Sequence, residues 1–582
     1  MVQVEQELEE EIRRAKSVWL RSVPFRLLIL TAFLGFYFCF VLLVSPTMIL
    51  GFINLDSWDS LIAWFYGLAL LILTLKRFRQ GARWQSFFQW PDLYCFVLVL
   101  LTLKVHTLSS LILGLRLSLM LLIYAVRYWV GRMLLTYIRH HPSLTLVASF
   151  VGMILVGTGL LILPQATVDG QGASFMTALF TMTSAICVTG LTVVDTGTYF
   201  SLFGHAVILL GFQTGALAIM ILSSLIALFV GGLLRSSRRG SLGRYLDVTD
   251  GDSLRRFVMV VCALTFLIEL IGAVFIFISL QGTFANIQDA IWWSLFHAVS
   301  AFCNAGFALN ADSLAAWSQN GSMVFSAGAL IVFGGLGFAI LVDVVDQGFR
   351  WWRQPRSWWG HLHIQTRVVL MATLLLNGFS MIFLLFFEFD GVFSGLSITE
   401  KLYASFFHSV TLRTAGLSVV SVDTLSSPSI VFSLIAMFVG AGSGSTAGGI
   451  KITTAVVVLM SLRAMLRGRE DVQILGATIP RLIVYRSMCI TFFGLGFLFV
   501  SLLILMHSQH IVFEKILFEA VSAFGTVGLS MGVTPQLDTL GRMLIIFLMF
   551  VGRIGPLTLA LAIGENRMQA AYKYPHGDVA VG

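Results

Sequence analysis

Long apolar runs alternate with short clusters of charge along the whole chain. A helix needs about 20 apolar residues to cross a bilayer core. Twelve runs reach or approach that length: Leu27–Leu50, Leu61–Leu75, Leu93–Val105, Leu108–Val130, Leu144–Leu163, Ala206–Leu228, Phe257–Leu280, Val324–Val345, Val368–Phe387, Ile430–Gly442, Ile483–Met506 and Met543–Ala562. Basic residues gather in Lys76–Arg83, around Arg127, Arg132 and Arg139, and in Arg235–Arg256, Arg350–Arg367 and Arg463–Arg486, whereas Pro164–Phe175 and Gln281–Ile291 carry none. An even number of spans separates consecutive clusters, so a single orientation places every cluster in the cytoplasm. Both termini are then expected inside a plasma membrane, such as a bacterial inner membrane. Residues 1–26 read as a charged amphipathic cytoplasmic segment, with Glu5, Glu7, Glu9, Glu10 and Glu11 ahead of Arg13, Arg14 and Lys16.

From Leu144 onward, short semi-polar stretches stand between the spans, and four of them share a pattern. They are Ser184–Leu191 (SAICVTGL), Ser300–Phe307 (SAFCNAGF), Ser409–Leu417 (SVTLRTAGL) and Ser522–Leu529 (SAFGTVGL). Their glycines are Gly190, Gly306, Gly416 and Gly528, spaced by 116, 110 and 112 residues. A repeat of this kind decides the fold. The expected architecture is an all-α polytopic membrane protein. Four membrane–pore-loop–membrane repeats surround one pore, preceded by about four extra transmembrane helices. The expected divisions are 1–26, the extra helices over 27–143, and repeats over 144–235, 236–350, 351–467 and 468–582.

Non-helical backbone at membrane depth is tolerated where it lines a water-filled path. Glycine lets successive carbonyls turn toward one axis, and rings of carbonyls replace the hydration shell of a cation. Each short helix before a loop, such as Phe296–Phe302 or Phe518–Phe524, would aim its negative C-terminal end at the pore. The expected filter residues are Cys187, Val188, Thr189 and Gly190; Cys303, Asn304, Ala305 and Gly306; Arg413, Thr414, Ala415 and Gly416; and Gly525, Thr526, Val527 and Gly528. An acid follows each loop (Asp195, Asp312, Asp423, Asp538). These read equally as a cation-gathering vestibule or as loop acids and helix caps.

The stretches Val188–Leu191, Asp195–Phe200, Arg413–Gly416 and Gly552–Thr558 resemble the Trk/Ktr/HKT cation-transporter superfamily. The similarity runs from Leu144 to near Ala562 and fits best the membrane subunit of a bacterial Ktr- or Trk-type potassium uptake system. It implies four pore repeats in one chain, a homodimer with one pore per protomer, and a cytosolic ring of nucleotide-binding RCK subunits. The basic loops Arg235–Arg256 and Arg350–Arg367 would dock such a ring, or serve only as cytoplasmic anchors. In that family, glycine at all four filter positions goes with potassium and serine in the first with sodium, so potassium is the expected cargo.

So many Gly and Ser residues over Gly440–Lys451 (GAGSGSTAGGIK) break a helix. The resemblance makes this stretch an intramembrane gate loop, with Gly440, Gly442, Ser443, Gly444, Ser445, Thr446, Gly448, Gly449 and Lys451 as gate residues. It lacks the Gly-Lys-Ser/Thr order of a phosphate-binding loop. Arg553, inside the last span, is costly at membrane depth and marks function; it would latch onto the gate loop. Lys451 could instead snorkel at the cytoplasmic end. Two departures from the family stand out. The first repeat has Gly215-Ala216-Leu217-Ala218 where relatives often carry Gly-Gly-Leu-Gly, which does occur at Gly334–Gly337. Four spans are also counted before the repeats. The fourth carries Arg116, Arg127 and Arg132, whose irregular spacing does not suit a voltage sensor.

Composition narrows the class further. Hydrophobic residues make up 57% and charged residues 11%, too few charges for a water-soluble surface. Mean hydropathy is +0.90. A soluble enzyme, a disordered chain and a nucleic-acid binder are excluded, and the net charge of +8 reflects the basic loops. Cys39, Cys95, Cys187, Cys262, Cys303 and Cys489 lack metal-site spacing. His205, His297 and His408 lie near the loops but outside catalytic motifs. No enzyme activity and no covalent cofactor are expected; K+ is the cargo, and Na+ the alternative. A sodium-conducting or sodium-coupled transporter, or the potassium-translocating subunit of an ATP-driven pump, are the competing readings.

Overall fold

A computed structural model describes residues 142–233, 251–280, 282–353 and 358–555, and side chains from 147 to 221, 258 to 348 (281 excepted) and 359 to 555. The chain divides into two compact units at His140/His141. The first unit lies outside the described residues, as do the spans Leu27–Leu50 to Leu108–Val130, most of Arg235–Arg256, and Pro556 onward.

The second unit is built of helices, with one two-residue hairpin. The helices are α1 (Pro142–Leu161), α2 (Phe175–Ile186), α3 (Leu202–Leu233), α4 (Gly251–Ser279), α5 (Ile287–Cys303), α6 (Gly321–Leu336), α7 (Phe338–Arg353), α8 (Ile364–Phe387), α9 (Ile398–Thr411), α10 (Ser427–Phe438), α11 (Ile452–Leu466), α12 (Arg481–Ser508), α13 (Phe513–Gly525) and α14 (Thr539–Ile554). The hairpin β1 (Gln473–Ile474) and β2 (Ala477–Thr478) pairs Gln473 with Thr478 between α11 and α12. Four described helices are long and apolar enough to cross a membrane, five if the bent pair α6–α7 is one span.

Local sequence explains the starts. Ser174 accepts the Thr177 N–H at the head of α2. Ser397 and Glu400 form a reciprocal capping box on α9, two orphan donors satisfied at once. Asn320 accepts the Met323 N–H of α6 at 3.2 Å.

The shorter helices α2, α5, α9 and α13 end at the four glycine loops. Each is covered by the helix before it: α1 on α2, α4 on α5, α8 on α9, α12 on α13. The helix after each loop crosses to the next unit, so that α3 packs on α5, α6 on α9, α10 on α13 and α14 back on α2. Four like units thus close into a ring. The core at the ring is aromatic, with Phe180, Phe212, Phe296, Phe302, Phe407 and Phe524 essentially sealed.

Three expected spans differ from what forms. Val324–Val345 is two helices, α6 and α7, bent by 102° at Gly337. Gly337 has φ +95°, a left-handed value open to glycine. Ile430–Gly442 stops earlier, at Phe438, where the Gly-rich stretch begins. The last span begins at Thr539 rather than Met543 and breaks after Ile554, with Gly555 at φ +92°. The equivalent position in the first unit is Ala218, and there α3 runs on without a break.

Candidate functional site

The four loops share one backbone course. The residue two before each glycine is left-handed: Val188 (φ 56°), Asn304 (58°), Thr414 (68°) and Thr526 (50°). The glycines follow suit: Gly190 (92°), Gly306 (73°), Gly416 (73°) and Gly528 (91°). For β-branched Val188, Thr414 and Thr526 this conformation costs on the order of 1–3 kcal/mol each, strain of a kind that clusters at functional sites.

A hydroxyl at the end of each short helix braces its loop. Ser184 Oγ accepts the Gly190 N–H at 3.0 Å and Ser522 Oγ the Gly528 N–H at 3.1 Å. Ser300 Oγ donates to the Phe307 carbonyl at 2.7 Å, and Thr411 Oγ1 to the Leu417 carbonyl at 2.5 Å. The side chains of Cys187, Val188, Thr189, Cys303, Asn304, Ala305, Thr414, Ala415 and Val527 are buried.

The glycines meet. A Cβ on Gly190 would lie 2.6 Å from both Gly306 Cα and the Ala305 carbonyl oxygen. On Gly416 it would lie 2.5 Å from the Val527 oxygen, 3.0 Å from Gly306 Cα and 3.1 Å from Gly528 Cα. On Gly528 it would overlap the Thr189 oxygen and lie 3.2 Å from Gly190 Cα. The ring therefore runs Gly190–Gly306–Gly416–Gly528. The carbonyls of Thr189, Ala305, Ala415 and Val527 lie against it. The C-terminal ends of four helices converge on the same point, presenting partial negative charge to a cation there.

After α10, residues 440–450 form a loop closed at its neck. Val439 and Ile450 pair in a parallel bridge, the Gly440 N–H donates to the Ile450 carbonyl at 2.7 Å, and the Ile452 N–H to the Ala441 carbonyl at 2.9 Å. The loop body docks on the broken helices of two other units. The Gly442 and Thr446 N–H groups donate to the Gly335 and Gly334 carbonyls at 2.8 and 3.3 Å, the Gly449 N–H to Gly552 at 3.2 Å, and the Phe338 N–H back to Gly444 at 3.4 Å. Gly442 and Gly448 have no room for a Cβ, which would meet the Leu336 carbonyl and Thr526 Oγ1. Arg553, 3% exposed, donates to the Thr446 carbonyl and, at 3.3 Å, to the Gly215 carbonyl. Lys451 does not reach outward: its Nζ donates to the Ala447 carbonyl at 2.5 Å. Ser443 and Ser445 lie within the loop, Ser445 buried.

Of the acids after the loops, Asp195 accepts the Gly197 N–H at 3.2 Å at the head of the single helical turn Thr196–Tyr199, and Asp538 accepts the Gly541 N–H at 2.7 Å at the head of α14, both as N-caps. Asp423 accepts the Ser421 hydroxyl. The Gly541 N–H, then Gln509, hold the Asp538 carboxyl below the usual range. His205 bonds the Thr196 carbonyl, and His297 stacks on Trp293 and bonds its carbonyl.

Two buried acids that no sequence motif marks stand beside the loops. Glu269 on α4 accepts from Gln213 at 3.1 Å and lies 3.7 Å from Cys303 Sγ, beside the second loop. An acid inside the apolar run 257–280 was the available signal. Glu519 on α13 accepts from Ser530 at 2.8 Å and from Thr534, behind the fourth loop. No cluster of metal-ligating side chains occurs among the described residues.

Fold and site define an all-α polytopic membrane protein in which four like units meet at one axis. The chain belongs to the TrkH family of cation transport proteins, whose model matches residues 116–570, reaching upstream of the expected Leu144 limit. It is 37% identical to the Ktr system potassium uptake protein B of Bacillus subtilis over 448 residues, covering 77% of this chain and 98% of that one. It is 35% identical to the potassium/sodium uptake protein NtpJ of Enterococcus hirae over 452 residues, covering 76% and 98%. The crystal structure of the potassium transporter TrkH from Vibrio parahaemolyticus has the same fold, with a TM-score of 0.56 at 16% identity, covering 71% of this chain and 84% of that one.

Proposed function

We propose that the protein takes up K+ through the glycine ring. The carbonyls of Cys187 to Gly190 and their counterparts in the other three units replace the ion's water shell. The single observation that carries this reading is the closed approach of Gly190, Gly306, Gly416 and Gly528, each left-handed, with no room for a side chain at Gly190, Gly416 and Gly528 and little at Gly306. Relatives named for potassium uptake support the cargo. The 440–450 loop, crossing beneath the ring and held by Arg553, is read as the gate. Closed, it fills the path with backbone and the Arg553 charge repels cations. Ions follow their electrochemical gradient inward once it moves.

The protein is proposed to lie in the plasma membrane with both termini cytoplasmic, its repeats divided at 235/236, 350/351 and 467/468. A homodimer and a cytosolic nucleotide-binding RCK ring are its proposed partners. A second reading, Na+ passage, rests on the relative named for potassium and sodium uptake.

The test is growth of a bacterium lacking its own potassium uptake, on limiting potassium. Rescue by the wild type and loss in Gly190→Ser support the reading. If a well-expressed wild type fails even with a co-expressed RCK subunit, while the cells take up Na+, the sodium reading replaces it.

A further inference from the structure

The residue three before the ring glycine is Cys187, Cys303 and Gly525 in three units, but Arg413 in the third. The third is also the unit whose following helix is interrupted by the 440–450 loop. Arg413 is 4% exposed and has no carboxylate partner among the described residues. Its Nη1 donates to the Val439 carbonyl at 2.9 Å. Val439 is the neck residue that pairs with Ile450. A side chain at the foot of the third loop is therefore tied to the hinge of the Gly-rich loop, whereas Arg553 grips that loop at its middle.

A second observation shows where Arg413 could go. One small cavity is lined by Arg413 together with Gly335, Thr373, Asn377 and Ala441. Arg413 Nε and Asn377 Oδ1 are both buried there without a hydrogen-bond partner. Leaving a donor and an acceptor unpaired in one place is costly, and their complementarity offers the guanidinium an alternative partner across a space it already borders. Gly335 belongs to the contact on which the loop docks, accepting from Gly442, and Ala441 belongs to the neck, accepting from Ile452.

We infer that Arg413 is a positioning residue that couples the third filter loop to the gate: on Val439 it holds the neck shut, and transfer to Asn377 frees it. This rests on the filter and gate reading above. The filter would thus report to the gate through one side chain. A flexible lysine would reproduce the tie only in part, because the planar guanidinium offers several donors in fixed geometry.

The experiment measures K+ flux through the purified full chain in liposomes, with the loop intact and with Gly442–Ala447 deleted. Arg413→Gln is expected to raise flux several-fold with the loop intact and to have a clearly smaller effect once the loop is gone. Arg413→Lys should fall between. Asn377→Leu, which removes no charge and lies on α8 away from the ring, is expected to lower flux several-fold, again only with the loop intact; it reads the same step if Arg413→Gln does not assemble. Equal effects in both backgrounds, or K+/Na+ discrimination lost equally in both, would overturn the coupling and leave Arg413 a support of the filter alone. A deletion that leaves wild-type flux unchanged removes the gate, and the coupling falls with it.

Discussion

Gly190 and Gly306 stand so close that a Cβ on the first would lie 2.6 Å from the Cα of the second. The contact joins the first unit to the second at the ring, and Gly190 holds φ +92°. Gly190→Ser therefore carries both a strained backbone and an overlap with the neighbouring loop. The strain exceeds about 1 kcal/mol. The first loop is expected to withdraw from the ring, so that K+/Na+ discrimination falls roughly tenfold, the equivalent of about 1.4 kcal/mol. Competitive flux of K+ and Na+ in liposomes measures this; an unchanged ratio would remove Gly190 from the filter.

Arg553 makes charge-assisted bonds to the Thr446 and Gly215 carbonyls. Bonds of this type contribute about 1.5–3 kcal/mol each. Arg553→Ala removes them and the positive charge together. The expected outcome is a rise in K+ flux of roughly tenfold or more. Lower flux at normal expression would count against the latch.

Much of this arrangement is legible in the sequence, for a physical reason. The four glycines share a left-handed backbone and close partners, so the requirement for glycine repeats at near-equal spacing and can be read. The Gly-rich stretch 440–449 likewise announces a broken helix. Other features carry no such mark. Val188, Thr414 and Thr526 are left-handed although β-branched residues avoid that region; the surrounding contacts impose what local preference opposes. The bend at Gly337 is hidden because Gly334–Gly337 is apolar and reads as part of a span. It forms because the carbonyls of Gly334 and Gly335 serve the Gly-rich loop, a partner more than a hundred residues away in sequence. In the sequence, Asp195 and Asp538 read equally as vestibule acids or caps. Their bonds to the N–H groups two and three residues on make both of them caps.

Gly448 offers a separate handle on the contact between loop and ring. A Cβ there would fall on Thr526 Oγ1, whose residue lies two before Gly528. Gly448→Ala is expected to lift the loop from the fourth unit and raise flux several-fold. Thr526→Ala makes the space, so the double substitution should return flux toward wild type. Liposome flux for the two single variants and the double variant forms the cycle. Simple additivity would mean that the two residues do not meet.

Asp538 gives a pH-dependent prediction outside the spans. Its carboxylate caps α14 through the Gly541 N–H and also accepts from Gln509 at 2.5 Å. These bonds favour the charged form and hold its pKa below the unfolded value of about 3.9. A depressed carboxylate pKa contributes stability that is present above the unfolded value and is lost as pH falls through the folded one. Thermal unfolding of the purified protein should therefore show Asp538→Asn less stable than wild type at neutral pH, since asparagine still caps but carries no charge for the helix N-terminus. The gap should close as the pH falls below the ordinary aspartate range. Asp538→Ala, which loses the cap altogether, should stay below wild type at both pH values. A gap between wild type and Asp538→Asn that is constant with pH would show that the charge of Asp538 contributes nothing at the head of α14.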